Sequence, residues 1–324
     1  MQYCLKLADA RPVIDASPHH TRMAACYRDK AGGWHAFVDH IDISLGTPQS
    51  WLAEIRYYFS EDGFHFEDRG IVVSRGETGA DDDYGAASPL VFATEESIYL
   101  FYCGRHLADA DAHEKGGIHS SQGLELCLMA CVARADENGA PIEPFEKRGV
   151  VCRGAESIAP IYLKQCVEPE SVVESEGQYW LFHSGIGERD GKPVKKAEFR
   201  RKLELPSLQV GPAEQIVAPE GGGELCRYFF HDGQWQIFYR HFQNPKGEGC
   251  YRHYRSENMI DWECVDTQLF RSHTPHPDSA ADIGIVYGLN GELADPATIL
   301  ATGFEDGLLK IWRYNLMECK PLKL

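Results

Sequence analysis

The chain has 324 residues, 43% of them hydrophobic, and a formal net charge of -17. That length suits one large domain or two small ones with a sizeable core, and so negative a surface repels a phosphate backbone, which argues against nucleic acid as a partner. No run approaches the roughly 18 apolar residues of a membrane span.

The opening residues MQYCLKLADARPV lack the basic start and apolar run of a signal peptide. The expectation is a cytoplasmic protein whose eleven cysteines are reduced. Cys127 and Cys131 do not have the spacing of a zinc pair, so buried, inert thiols are expected.

In chain order, strand signals dominate: short runs rich in Val, Ile, Tyr, Phe and Trp, set between Gly, Asp, Asn and Pro. Residues 2–13 alternate polar and apolar. The runs 24–27 and 34–38 form a faint pair, and 55–59 leads into Ser-Glu-Asp-Gly-Phe-His-Phe at 60–66. Ser-Pro-Leu-Val-Phe at 88–92 then precedes Tyr-Leu-Phe-Tyr-Cys-Gly at 99–104. An insertion at 105–121, rich in Gly, Asp and His, reads as a flap. Glu-Pro-Glu-Ser-Val-Val at 168–173 precedes Trp-Leu-Phe-His-Ser-Gly at 180–185, a pair that repeats the previous one 81 residues later without a gap. Residues 194–205 have a weak apolar face and predict at most a short helix. The pairs 228–230 with 237–239, and 285–287 with 298–300, complete the series. Ser-Glu-Asn-Met-Ile-Asp-Trp at 256–262 repeats the pattern of 60–66. In both, an Asp or Asn sets a tight turn and an aromatic ring four residues on packs back on the sheet.

Five such units of four strands predict a five-bladed β-propeller forming one domain. The blades fall at about 14–75, 80–152, 160–218, 219–272 and 278–318. The last is one strand short, and 2–13 would supply it, leaving no exposed edge. A pair of β-sandwiches is the alternative, and it accounts less well for the repeated two-strand phrase.

The order and spacing of the motifs at 60–66, 88–92 and 168–173 resemble those of the five-bladed propeller glycoside hydrolases, the superfamily of arabinanases, β-xylosidases, invertases and levansucrases. The resemblance implies a set of acidic residues at the mouth of the channel, one a general acid and one a general base. It implies a carbohydrate as the partner and no cofactor, with a structural channel cation, present in some relatives, left open.

Matched residue by residue, Glu168 is the first choice for the acid. The family spacing leaves one residue between glutamate and proline; here Pro169 follows directly, so Glu170 competes. Glu224 and Asp282 stand ahead of the fourth and fifth inner strands as Glu168 does ahead of the third. Asp81, Asp82 and Asp83 precede the second inner strand; two read as a solvated turn and Asp83 as the second acid, although the repeat puts Ala87 at the aligned place. Ahead of the first inner strand the available carboxylate is Asp15, near His19 and His20, which bind substrate, assist as base, or form an exposed loop pair. Arg227 and His231 flank the fourth inner strand, His183 and Arg240 end second strands, and Asp39, His40 and Asp42 end the one in the first blade; the arginines and histidines suit a carboxylate, a phosphate or sugar hydroxyls, or are structural. The expected chemistry is hydrolysis of a small oligosaccharide or glycoside, probable inversion included, with Glu168 as acid and Asp15 or Asp83 as base. Two alternatives stand beside it. One is a glycoside phosphorylase using Arg22, His19, His20, Arg227 and His231 to hold phosphate. The other is a non-catalytic sugar-binding propeller.

Overall fold

The computed structural model describes residues 2–42, 44, 52–116, 122–216, 226–242, 249–266, 282–295 and 297–319. Among them the chain is all-β apart from one short helix and a few turns. Strand β1 (Gln2–Leu7) comes first. A meander follows of β2 (His20–Arg28), β3 (Trp34–Ile41), β4 (Ala53–Ser60) and β5 (Glu67–Val73). A second comprises β6 (Gly85–Ala93), β7 (Ser97–Leu107), β8 (Leu124–Ala135) and β9 (Pro141–Cys152), with α1 (Ala110–Gly116) inserted after β7. The third runs through β10 (Glu156–Ile158), β11 (Ile161–Ser175), β12 (Gln178–Arg189), β13 (Lys192–Glu204), β14 (Gln209–Val210) and β15 (Glu214–Gln215). Then come β16 (Arg227–His231), β17 (Gln234–Phe242), β18 (Gly249–Ser256) and β19 (Glu263–Asp266), and finally β20 (Ile283–Tyr287), β21 (Thr298–Glu305) and β22 (Leu308–Cys319). β1 pairs antiparallel with β22, so the two ends of the chain share a sheet. Among the described residues, the backbone register joining that sheet to the first meander is the short parallel pair Cys26↔Val286 and Tyr27↔Tyr287.

The strand reading holds at 194–205 where the helix does not. β13 buries Ala197, Phe199, Arg201 and Leu203 on one face and exposes Lys202 and Glu204 on the other, the period of two that belongs to a strand, broken by Glu198, which is buried on the second face. Its charged side chains are accommodated by partners: Arg200 bonds Glu214 and lies over the Trp180 ring.

The two Ser-x-Asp/Asn turns are built alike. Asp62 accepts the backbone N–H groups of Phe64 and His65 while Ser60 accepts that of Gly63. Asn258 accepts those of Ile260 and Asp261 while Ser256 accepts that of Met259. Phe66 and Trp262 pack against neighbouring apolar clusters.

The innermost strands are kinked near their starts, and side chains from the preceding meander satisfy the freed backbone donors. Met23, at φ 53, donates its N–H to Thr302 Oγ1 at 3.0 Å; Ser88, at φ 56, donates to Asp39 Oδ1 at 2.7 Å. Further round, Cys226 and Tyr228 donate to Glu170 and Ser171. In the repeat, Met23 and Ser88 correspond to Pro169, which has no N–H, and Asp39 corresponds to Cys103, whose thiol already donates to Gly104 O. A donor is missing where a good acceptor is missing. Pro169→Ala restores an N–H without a carboxylate or hydroxyl to take it, and the expected loss is about 1–3 kcal/mol in urea unfolding.

Candidate active site

Residues Ala25 on β2, Leu90 on β6, Glu170 on β11, Arg227 on β16 and Ile285 on β20 line one narrow cavity, so the inner strand of every meander reaches a common centre. Around it lies a buried set of charged groups, far too costly to bury unless paired. Asp39, fully buried on β3, accepts from Arg22 Nε at 3.1 Å and from the Ser88 N–H. Arg105 on β7 is 2% exposed and lies in the fields of both Asp39 and Glu168. Asp282 is held by Arg240 at 3.4 Å.

Glu168 is 7% exposed, and its Oε2 is buried with no hydrogen-bond partner among the described residues. Two residues on, the Glu170 side chain is wholly buried; one oxygen accepts the Cys226 N–H at 3.2 Å. The Glu198 carboxyl of β13 accepts from Tyr228 Oη at 3.3 Å, and the donor atoms of Glu170, Glu198 and Cys226 lie within 4.8 Å of one another. Burial pushes Glu170 up to about 7, against the pull of the Glu198 hydrogen bond and Arg227. Burial and then the Glu170 charge push Glu198 well above the carboxylate range. The pair therefore retains a proton at neutral pH, and Glu170 Oε2 and Glu198 Oε1, like Glu168 Oε2, have no hydrogen-bond partner among the described residues. His183, behind Pro169 in the register, is pushed down to about 3 by burial and Arg201 and is a neutral imidazole.

The structure thus brings together Glu168, Glu170, Arg227 and Asp282. It commits other expected site residues elsewhere. Asp15 accepts from Ser17 and from Lys310 Nζ at 2.9 Å, and its side chain is 38% exposed. Asp83 caps a turn, accepting from the Gly79 and Leu107 N–H groups and pairing with His106. Asp82 is not solvated but buried, bonded to Tyr102 and Lys147. His19 faces Asp42 at 3.2 Å and meets His40 edge-on; His20 Nδ1 accepts the Leu309 N–H. His231 stands at the far end of β16, half-exposed beside Asp232. Glu224 lies outside the described residues.

Sequence reasoning did not find Glu198 or Arg105. Glu198 was hidden by the weak helical reading of its segment, and Arg105 by its place at the edge of the insertion. A buried-face period of two across 197–203 is the signal that would have placed Glu198 on a strand.

Burial of these acids has a signed consequence. Asp39 is pushed up to about 6 from 3.8 by desolvation, against Arg22 and Arg105, and Glu170 to about 7. A carboxyl whose folded pKa is raised binds its proton more tightly when folded, so stability falls as pH rises from about 4 to 7. For Asp39 alone the change is on the order of 3 kcal/mol. Asp15, Asp29 and Asp83 are shifted down by their hydrogen bonds despite burial, and their contribution is lost as pH falls below 3.8. Thermal melts at constant ionic strength should give the highest midpoint between about pH 4 and 6. A midpoint still climbing from pH 6 to 8 would contradict the burial argument.

No protein-family model matches the sequence, and no curated protein does. Among solved structures it is similar over nearly its full length to a family 117 glycoside hydrolase produced by the marine bacterium Zobellia galactanivorans, at 14% identity, covering 97% of this chain and 90% of that one with a TM-score of 0.65. It is also similar to an endo-arabinase from Bacteroides thetaiotaomicron, at 14% identity, 96% and 98% coverage and a TM-score of 0.61. A third is Bacillus subtilis levansucrase, at 10% identity, 99% and 89% coverage and a TM-score of 0.67. The chain is therefore all-β with a fold like that of these three proteins, as the motif rhythm implied. At such identities the likeness extends to the fold and no further.

Proposed function

We propose that the chain is a single five-bladed propeller and a glycosidase, which hydrolyses a small oligosaccharide or glycoside by carboxylate acid–base chemistry. Its blades are β2–β5, β6–β9, β10–β15, β16–β19 and β20–β22 with β1. The observation that carries the activity is the buried trio Glu168, Glu170 and Glu198, with an unpartnered oxygen on Glu168 and a proton kept on its two neighbours. Glu168 is the acid that protonates the leaving oxygen. Asp282, at the equivalent place in the last blade and charge-balanced by Arg240, activates water; Asp15 and Asp83, expected from the sequence, are engaged by Ser17 and Lys310 and by Gly79, His106 and Leu107. A separation of about 6.5–9.5 Å between acid and base gives inversion at the anomeric carbon. The cationic residues that a phosphorylase needs are dispersed: Arg22 is taken by Asp39 and His231 is remote. The test is turnover of a panel of activated aryl glycosides with and without phosphate, with product anomers followed by NMR. Free sugar formed equally without phosphate supports hydrolysis; sugar 1-phosphate or no turnover overturns it.

A further inference from the structure

Away from the carboxylates, the most reactive juxtaposition is a pair of cysteines on different meanders. Cys152 is the last residue of β9 and Cys166 lies in β11; their sulfur atoms and a ring nitrogen of His183 fall within 4.8 Å of one another. The backbones are pinned side by side by the Cys166 N–H, which donates to Arg153 O at 3.1 Å. Arg201 Nη2 reaches Cys166 Sγ at 3.9 Å. A metal does not fit: His183 Nε2 already accepts from Arg201 Nε, its Nδ1 is spent on Ser184 O, and the guanidinium supplies the local positive charge.

We propose that Cys152 and Cys166 are a dithiol that closes to a disulfide on reaction with a peroxide, stapling the crossover between the second and third meanders two residues before Glu168 in β11. The hydrogen bond from Cys152, and Arg201, lower the Cys166 thiol, whereas burial pushes Cys103 up to about 11 and Cys131 up to about 12. The thiolate is the nucleophile in such chemistry. Cys166 attacks one peroxide oxygen, the O–O bond breaks, and hydroxide leaves and takes a proton, giving a sulfenic acid. Cys152 then attacks that sulfur, expelling a second water. Two thiols and one hydrogen peroxide become one disulfide and two waters. Cys166 is fully buried and Cys152 is 8% exposed, so the reaction requires a small oxidant that enters on the Cys152 side.

The full-length protein is treated with a small excess of hydrogen peroxide, alkylated, and digested without reductant. The expected product is a cross-linked peptide pair containing Cys152 and Cys166, two hydrogens lighter than the free thiols and reversed by dithiothreitol. The melting midpoint should rise by about 5 °C. In Cys152→Ser, Cys166 should instead stop at a sulfenic acid that dimedone traps. Exposed Cys264 serves as the internal sign that the oxidant acted. Oxidation of Cys264 with both Cys152 and Cys166 still alkylatable overturns the proposal, as does Cys166 passing to sulfinic acid without a cross-link.

Discussion

Glu168→Gln should lower kcat/KM on a glycoside with a poor leaving group by roughly 100- to 10,000-fold, the usual worth of a positioned general acid. The amide is isosteric, and the Oε2 position it fills has no hydrogen bond to lose, so folding should be preserved. The loss should shrink on a nitrophenyl glycoside, whose leaving oxygen needs little protonation. That dependence on the leaving group distinguishes a proton donor from a residue that merely shapes the pocket. Glu170→Gln tests the neighbour. It keeps an acceptor for the Cys226 N–H but removes the group that titrates near 7, so it should shift the alkaline limb of the pH profile more than it lowers the maximum rate. Activity of Glu168→Gln within threefold of wild type on every leaving group would remove Glu168 from the reaction. A complete loss in Glu170→Gln alone would transfer the acid's role two residues along β11.

The strands were legible because each is a short apolar run ended by a turn residue, and the 81-residue repeat joined them into units. Their common spacing to the strand that follows singled out Glu168, Glu224 and Asp282, on the expectation that equivalent places in equivalent strands approach one centre. What composition and spacing did not reveal were contacts between strands distant in the chain. Asp15 and Asp83 looked available because a linear reading does not show Lys310 or His106 beside them. Glu198 sits among Lys195, Lys196, Arg200, Arg201 and Lys202, where a buried acid is the last residue expected from composition. Only the fold places it against Glu170.

Asp39→Ala should be the most damaging change to stability in the central cluster. The wild-type carboxylate does two things at once: it accepts the N–H of Ser88, a residue held at φ 56, and it faces Arg22 Nε. Alanine leaves the buried Ser88 N–H without its acceptor, removes the carboxylate that faces Arg22 and opens a void, which together cost about 3–5 kcal/mol. Asp39→Asn separates the two roles, because its amide oxygen still accepts from Ser88 while the charge is gone. Since burial makes the ionised form the costly one, with a pKa near 6, the asparagine variant should gain on the wild type as pH rises from 5 to 8. Urea unfolding at those two pH values measures both effects. If the asparagine variant lost as much stability as the alanine variant, and more so at pH 8 than at pH 5, Asp39 would act through its charge on Arg22 and not through the kink at Ser88. The kink is what aims the start of β6 at the centre. Its loss should therefore weaken substrate binding even where the remaining carboxylates are untouched.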